Sequence, residues 1–339
     1  MRDLTAPSLP ARPAPARPLR RLQARHLPLA VTVGLLVAMF GAGSFLFDGF
    51  FSLQVFLNLF IDNAFVAIAA IGMTFVIVSG GIDLSVGSVI ALTTMVSATL
   101  VQVHGWSPAV VIPLVLLMGA AFGLVMGLVI QYFAIQPFIV TLAGMFLARG
   151  LCYLISINSI TIDHPFYTWI SAIRLPFLFE TSVSVNVLIA LVVLALSVWL
   201  AHYTRFGRTV YAIGGSEQSA TLMGLAVPRT KVLVYTLSGS CSALAGVVFT
   251  FYMLSGYGLH AQGMEMDAIS AAVIGGTLLT GGFGSVVGTI MGVLIYGTIQ
   301  TLIMFQGTLS SWWTKIVMGL LLLAFCLLQR AFERRRSRG

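Results

Sequence analysis

The chain has 339 residues, of which 58% are hydrophobic and 8% charged, and its formal net charge is +8. A soluble domain carries roughly 25% charged residues, so most of this surface faces something other than water. The basic balance does not point to nucleic acid: six arginines precede residue 27 and five lie between Arg330 and the C-terminus, flanking apolar spans where anionic lipid is the natural contact.

Residues 1–26 are rich in proline, alanine and arginine and have no periodicity, which predicts a disordered cytoplasmic tail. Arg20-Arg21 stands before an apolar run in the manner of an export signal, but the run has membrane-span length and no convincing cleavage site, so it reads as an uncleaved first span. From Leu27 to Gln329, apolar runs recur at the length a helix needs to cross about 30 Å of hydrocarbon. The weak alternating segments of a membrane β-barrel are absent. The fold class is therefore all-α, a polytopic membrane protein.

Spans are predicted at 28–47, 57–79, 86–103, 109–132, 138–155, 184–203, 231–254, 267–280, 284–305 and 313–329, the eighth being short. This divides the chain into the tail 1–26, a transmembrane domain 27–330 and a basic cytoplasmic tail 331–339. Arginine-rich ends place both termini in the cytoplasm, which requires an even number of crossings, and ten satisfies it. The same count puts the loop 204–230, with Arg205, Arg208 and Arg229, inside. It puts 156–183, with Asp163, His164, Arg174 and Glu180, outside. Cys152, Cys241 and Cys326 fall in or beside spans without paired spacing and read as small buried hydrophobes.

Within the spans, polar residues are few. Asp62-Asn63 lies in the second, and Arg149 lies in the fifth, where it either snorkels toward headgroups or faces an interior. In "FVIVSGGIDLSVGSVIALTT", residues 75–94, Gly80-Gly81 and Asp83 interrupt what otherwise reads as continuous span. Irregular backbone at membrane depth is tolerated only where protein or water satisfies it. Asp83 is thus expected to cap the helix that follows, to line a solute path, or both. Gly119, Gly123 and Gly127 form one ridge of small residues and Gly284, Gly288 and Gly292 another; both predict close helix packing, within the subunit or between subunits.

The loop "TRFGRTVYAIGGSEQSATLMGLAVPRTK", 204–231, is the most informative polar stretch. Gly214-Gly215 is expected to turn, Ser216 to cap a short helix, Glu217 to suit its positive end, and Gly224 to stop it before Pro228. Such a compact helix between two spans also suits docking into a groove on a soluble partner. "IGMTFVIVSGGIDLSVGS" (71–88) and "IGGTLLTGGFGSVVGT" (274–289) resemble each other, and paired interrupted segments point to a transport pathway. There is no Walker-A phosphate loop, no metal-type His/Glu spacing and no catalytic constellation. The chain reads as a transporter rather than an enzyme, with no cofactor of its own.

The stretches "GMTFVIVSGGIDLSVGS", "FIVTLAGMFLARG", "RFGRTVYAIGG", "MDAISAAVIGGTLLTGGFGSVVGT" and "GTLSSWWTK" resemble the permease subunits of bacterial ABC importers for monosaccharides, the ribose/galactose permease group, from about residue 28 to 330. "DNAFVAIAAIGMTFVI", "ITIDHPFY" and "TLIMFQGTLSSWWTK" carry a finer likeness to the second permease of the galactofuranose importer. The resemblance implies a ten-span fold of the vitamin-B12/ribose permease type in the bacterial inner membrane. It also implies two permease subunits, more in keeping with a sister pair than with two copies of this chain, a cytoplasmic ATPase that binds the ATP, and a periplasmic sugar-binding protein. Gly214, Gly215, Ser216, Glu217 and Gly224 would then belong to the element that docks on the ATPase. One departure is Ser216, where the family commonly has asparagine; serine also caps helices. Neither resemblance nor motif identifies the residues that touch sugar, and Asp62, Asn63, Thr74, Asp83, Thr141, Arg149 and Gln300 stand as candidates. A self-sufficient secondary transporter of a small polar solute is the alternative that the paired segments also suit.

Overall fold

In the computed structural model, residues 18–176, 178, 181–310 and 312–336 are described. The first seventeen residues of the expected N-terminal tail, Glu180 of the outer loop and the last three residues of the chain lie outside them.

The first helix, α1 (Pro18–Leu46), already begins within the segment expected as tail. It is followed by α2 (Leu53–Val78), α3 (Val86–Ala98) with a π-turn extension over Thr99–Val103, α4 (Pro108–Tyr132) and α5 (Pro137–Ile155). A loop then carries β1 (Ile160–Thr161), the short helix α6 (Pro165–Ala172), β2 (Arg174–Pro176) and β3 (Ser182–Ser184). Beyond it come α7 (Val185–Tyr203), α8 (Arg205–Gly215), α9 (Glu217–Leu222), α10 (Val227–Met253), β4 (Ser255–Gly256), α11 (Met264–Ile274), α12 (Val286–Gln306) and α13 (Trp312–Arg336). The strands form two small antiparallel pairs, β1 with β4 and β2 with β3.

Helix starts follow local chemistry. Ser52 accepts from the Val55 amide at the head of α2, Ser107 precedes Pro108 at the head of α4, and Ser285 accepts from the Gly288 amide at the head of α12. These side chains satisfy amides that have no partner inside the helix. Among the described residues nine helices are long and apolar enough to cross a membrane: α1, α2, α3 with its extension, α4, α5, α7, α10, α12 and α13.

The expected eighth span is the element that differs. In place of a helix over 267–280 the chain forms α11, whose eleven residues reach only about 16 Å. The short strand and the turns before it, 255–263, supply the remainder of the pass. Gly256 lies against Thr94 and Ala98 of α3, while Ala261 and Glu265 lie against Gly87, so the chain descends antiparallel to α3 before α11 begins. Counted this way the described residues run ten times between the two faces. The early part of α1 and the late part of α13 lie against the end of α11, where Thr32 donates to Ile274 O and Gln329 to Val273 O, and they share one face with α8–α9 and the turns after α2 and α11, hereafter the tail face.

α2 is continuously buried from Asn63 to Val78 and forms the central post, whereas α1, α4, α5, α7 and α13 bury less than a third of their spans. Both glycine ridges are used inside the subunit. Gly119, Gly123 and Gly127 of α4 sit on Ala243, Gly239, Tyr235 and Val232 of α10, and Gly284, Gly288 and Gly292 meet Thr277, Gly275 and Ala271. A side chain at any of these positions except Gly284, which meets the Thr277 and Val78 side chains, would have to displace backbone, which is why small residues let the segments approach so closely.

Candidate functional site

The tail face is organised by two interrupted segments. At the first, α2 ends in a left-handed Gly80 (φ +86°). The Gly80 amide donates to Ile77 O (2.9 Å) and the Gly81 amide to Val76 O (3.0 Å), the two bonds of a Schellman stop. The chain then folds back into the protein as an extended piece, and Asp83 is fully buried there. Its Oδ1 accepts from the Ser85 amide (3.0 Å) and the Ser85 hydroxyl (2.6 Å), and its Oδ2 accepts from the Ser238 hydroxyl of α10 (2.7 Å). Asp83 therefore supplies acceptors to the residue that opens α3 and ties that opening to α10. The Thr141 hydroxyl of α5, which donates to Pro137 O (2.8 Å), also lies 3.3 Å from the Ile82 carbonyl oxygen and covers the same stretch from another side.

The second interruption follows α11 and ends in the same device: Gly276 (φ +94°) donates to Val273 O (2.9 Å) and Thr277 to Ala272 O (3.0 Å). A longer turn then carries Gly281 (φ +83°) and Gly282 (φ +74°) back to α12. The two segments that look alike in sequence are not superposable. Ile71–Thr74 is mid-helix, whereas Ile274–Thr277 is a helix end. They instead pack on one another: the Gly282 amide donates to Val78 O (2.9 Å), and the hydroxyls of Thr74 and Thr289 lie 2.7 Å apart.

Beside them lies a two-helix unit. Gly214 and Gly215, expected as a flexible turn, form the last turn of α8. Ser216 caps α9, accepting from the Ser219 amide (3.2 Å), and Glu217 in its first turn pairs with Lys231 of α10 (2.6 Å). α9 stops at Gly224 (φ +75°), whose amide donates to Thr221 O (2.9 Å), while Leu225 donates to Ala220 O (3.1 Å). Ala220, Ile213 and Val227 form a small core of their own that holds α9 against α8 and the start of α10. The outer side of α9 is bare, with Leu222 89% and Met223 67% exposed. Two large apolar side chains presented beside charge on a six-residue helix make a compact knob suited to a groove on another protein.

Residues 55–326 match the model of the family described as branched-chain amino acid transport system / permease component. The inner membrane ABC transporter permease protein YjfF of Escherichia coli K12 is 50% identical over 92% of this chain and 96% of its own length. The fructose import permease protein FruG of Bifidobacterium longum is 42% identical over 92% of this chain and 93% of its own. The ribose import permease protein RbsC of Escherichia coli K12 is 35% identical over 85% and 89%. The chain belongs to this ABC permease family. No solved structure gives a significant match.

The remaining polar candidates of the permease do not gather in one pocket. Asn63 is buried, donating to Leu59 O (2.9 Å) and lying against Gly297 of α12. Asp62, one residue earlier, is exposed and accepts from the Tyr252 hydroxyl of α10 (3.2 Å). Arg149 does not reach toward headgroups: its guanidinium donates to the carbonyls of Gly258 and His260 (2.9 Å for the latter), pinning the turns before α11. Nor is it a partner of Asp83, whose three bonds all come from serines. Gln300 donates to the Tyr296 hydroxyl (2.9 Å), which donates to Asp267 Oδ2 (3.2 Å); Lys315 of α13 binds both oxygens of that carboxylate (2.8 and 2.6 Å).

Sequence reasoning passed over Asp267, Lys315, Ser238 and Tyr235. The first two carried a usable signal, since an acid and a base inside separate spans are expected to pair. Ser238 is one hydroxyl among many and gave none. Outside the membrane-spanning helices, Tyr167 of α6 is buried against Phe166 and Phe251, and burial pushes its phenol up to about 12.

Proposed function

We propose that this permease is the membrane-spanning subunit of an ATP-driven importer that moves a monosaccharide, galactofuranose or a related sugar, across the bacterial inner membrane. Its tail face, with both termini, is cytoplasmic. The partners are an ABC ATPase, a second permease subunit that is a sister chain, and a periplasmic sugar-binding protein. The ATP is bound by the ATPase. The observation that carries this reading is α8–α9: a capped helix with its own core, anchored on the transmembrane domain and bare on its outer side. The monosaccharide class rests on the relatives named for fructose and ribose and the narrower sugar on the resemblance of residues 62–77, 160–167 and 301–315.

Asp62 and Tyr252 fit the solute path. A carboxylate at membrane depth is costly against lipid, so the exposed face they share is turned to water or to the second subunit. Family membership leaves the self-sufficient secondary transporter without an observation in its favour.

The test is uptake by the complete complex in proteoliposomes, with labelled galactofuranose, ribose and fructose in competition. Ala220→Pro removes the bond from the Ala220 amide to Ser216 O and clashes with the preceding turn, a local cost of about 3 kcal/mol. It is expected to abolish stimulation of the ATPase by the loaded binding protein while the complex still assembles. Normal stimulation contradicts the docking role, and uptake without any ATPase restores the secondary transporter. Labelling of Glu217→Cys only from the periplasmic side refutes the orientation.

A further inference from the structure

Five glycines from three separate parts of the chain meet on the tail face: Gly80 after α2, Gly214 and Gly215 at the end of α8, and Gly281 and Gly282 in the turn after α11. The contact is backbone on backbone. A methyl group built on Gly214 would overlap the Val78 carbonyl oxygen and the Gly282 amide nitrogen. One on Gly281 would lie 2.9 Å from the Gly80 nitrogen, and one on Gly282 2.8 Å from the Gly215 nitrogen. Gly80, Gly281 and Gly282 each hold a φ between +74° and +86°, which other residues adopt only at a cost. Two hydrogen bonds lock the contact: Gly282 N–H to Val78 O (2.9 Å) and the Tyr211 hydroxyl of α8 to Gly284 O (2.9 Å).

The geometry points to this contact as the joint through which movement of α8–α9 reaches both interrupted segments, so that Gly214, Gly281 and Tyr211 are positioning residues for transport. This rests on the docking role proposed for α9. Side chains between packed elements can absorb a small displacement by changing rotamer; main chain in van der Waals contact cannot. Ile213, one residue before Gly214, is part of the core that holds α9. A shift of α9 is therefore delivered within one turn to the last carbonyl of α2 and to the loop leading into α12. From there it reaches the Thr74–Thr289 contact between α2 and α12 and the Asp83 segment, which starts one residue after Gly81. The joint links one displacement to two helix pairs at once, which is what alternating exposure of a path between them requires.

The experiment uses the complete complex and reads sugar moved per ATP hydrolysed, a ratio that loss of assembled protein does not change. Gly214→Ala forces the end of α8 away from the Val78 carbonyl. It is expected to assemble and to lower sugar moved per ATP about tenfold, within the range of measured coupling energies. Gly150→Ala on α5, where the methyl enters open space, controls for glycine replacement in a membrane helix. A Gly214→Ala ratio within about twofold of the parent overturns the joint. Should Gly214→Ala fail to assemble, Tyr211→Phe decides. It keeps the ring and deletes the bond to Gly284 O, so the ratio should fall about threefold, and an unchanged ratio overturns the joint. Ala220→Pro separates this failure from failure of the docking role. If Ala220→Pro uncouples and the joint variants do not, only the joint is lost; if none uncouples, the docking role falls with it.

Discussion

The breaks after α2 and after α11 end their helices with the same pair of Schellman bonds, yet they are different objects. The first is short and sealed. Five residues after Gly80 the chain is already at Ser85, and the only carboxylate in the stretch is fully buried with three donors around it. The second takes nine residues from Gly276 to Ser285, carries no acid, and leaves Leu279 and Thr280 exposed on the tail face. The difference separates two requirements that the sequence pattern had merged. Main chain deep in the protein needs a fixed supply of acceptors and donors, because lipid offers none. Main chain at the face where α8 arrives needs close approach and freedom of φ. Asp83 answers the first requirement and Gly281-Gly282 the second.

The variant with the largest expected effect on this contrast is Asp83→Ala. It strips acceptors from the Ser85 amide, the Ser85 hydroxyl and the Ser238 hydroxyl, and a buried donor left bare costs about 1–3 kcal/mol. Assembled complex should fall sharply. Asp83→Asn keeps Oδ1 for both Ser85 bonds and presents an amide to Ser238, whose hydroxyl can accept instead. That variant should assemble and keep much of its uptake. At the second break Ser285→Ala removes only the 3.4 Å bond from the Gly288 amide and should cost about 0.5–1 kcal/mol. Quantifying purified complex and uptake for all three decides the matter. Loss of uptake in Asp83→Asn with normal assembly would move Asp83 from structure to the path.

Much of this architecture was legible beforehand. Span positions followed from apolar runs, and the start and stop of α9 from Ser216 and Gly224, because caps and left-handed glycines act through their immediate neighbours. What escaped depends on residues far apart in sequence. Gly214-Gly215 reads as a turn by local propensity, but it is helical because Val78 and Gly282 pack against it, and contact between main-chain atoms leaves no hydrophobic pattern. The partial match of 71–88 to 274–289 marked two interrupted segments and pointed to a transport pathway, but it did not say how they pack. The chain uses these segments as two sides of one contact. The short α11 was foreseen as a weak eighth span, but the descending stretch pinned by Arg149 was not, since carbonyl acceptors are present at every residue and mark no position.

The next effect in size concerns φ. Gly80→Ala meets nothing within 4 Å, so its cost is confined to the left-handed conformation, about 1–2 kcal/mol. Gly281→Ala has a similar φ and in addition crowds the Gly80 nitrogen at 2.9 Å. Thermal midpoints of the detergent-solubilised complex should therefore fall for both and further for Gly281→Ala. Equal shifts would mean that the second break yields freely, and that the packing contrast between the two glycines has no energetic weight.

The smallest effect tests whether the two segments are truly joined. The hydroxyls of Thr74 and Thr289 lie 2.7 Å apart between α2 and α12, and Thr74 also reaches the Ala70 carbonyl at 2.7 Å. Val is close to isosteric with Thr. Either single change leaves the opposite buried hydroxyl short of one partner, though each keeps a backbone carbonyl in reach, Ala70 O for Thr74 and Ser285 O at 3.3 Å for Thr289. The expected loss for each is thus about 0.5–1.5 kcal/mol, the net value of one hydrogen bond. Replacing both removes donor and acceptor together and leaves an apolar contact of the same shape, which is nearly neutral. The double variant should therefore be more stable than the sum of the singles predicts, with a coupling of at least about 0.5 kcal/mol, as found for residues in direct contact. Additive shifts in the thermal midpoint would show that the two hydroxyls do not support one another. The α2–α12 seam would then rest on the Gly282–Val78 bond and apolar packing alone.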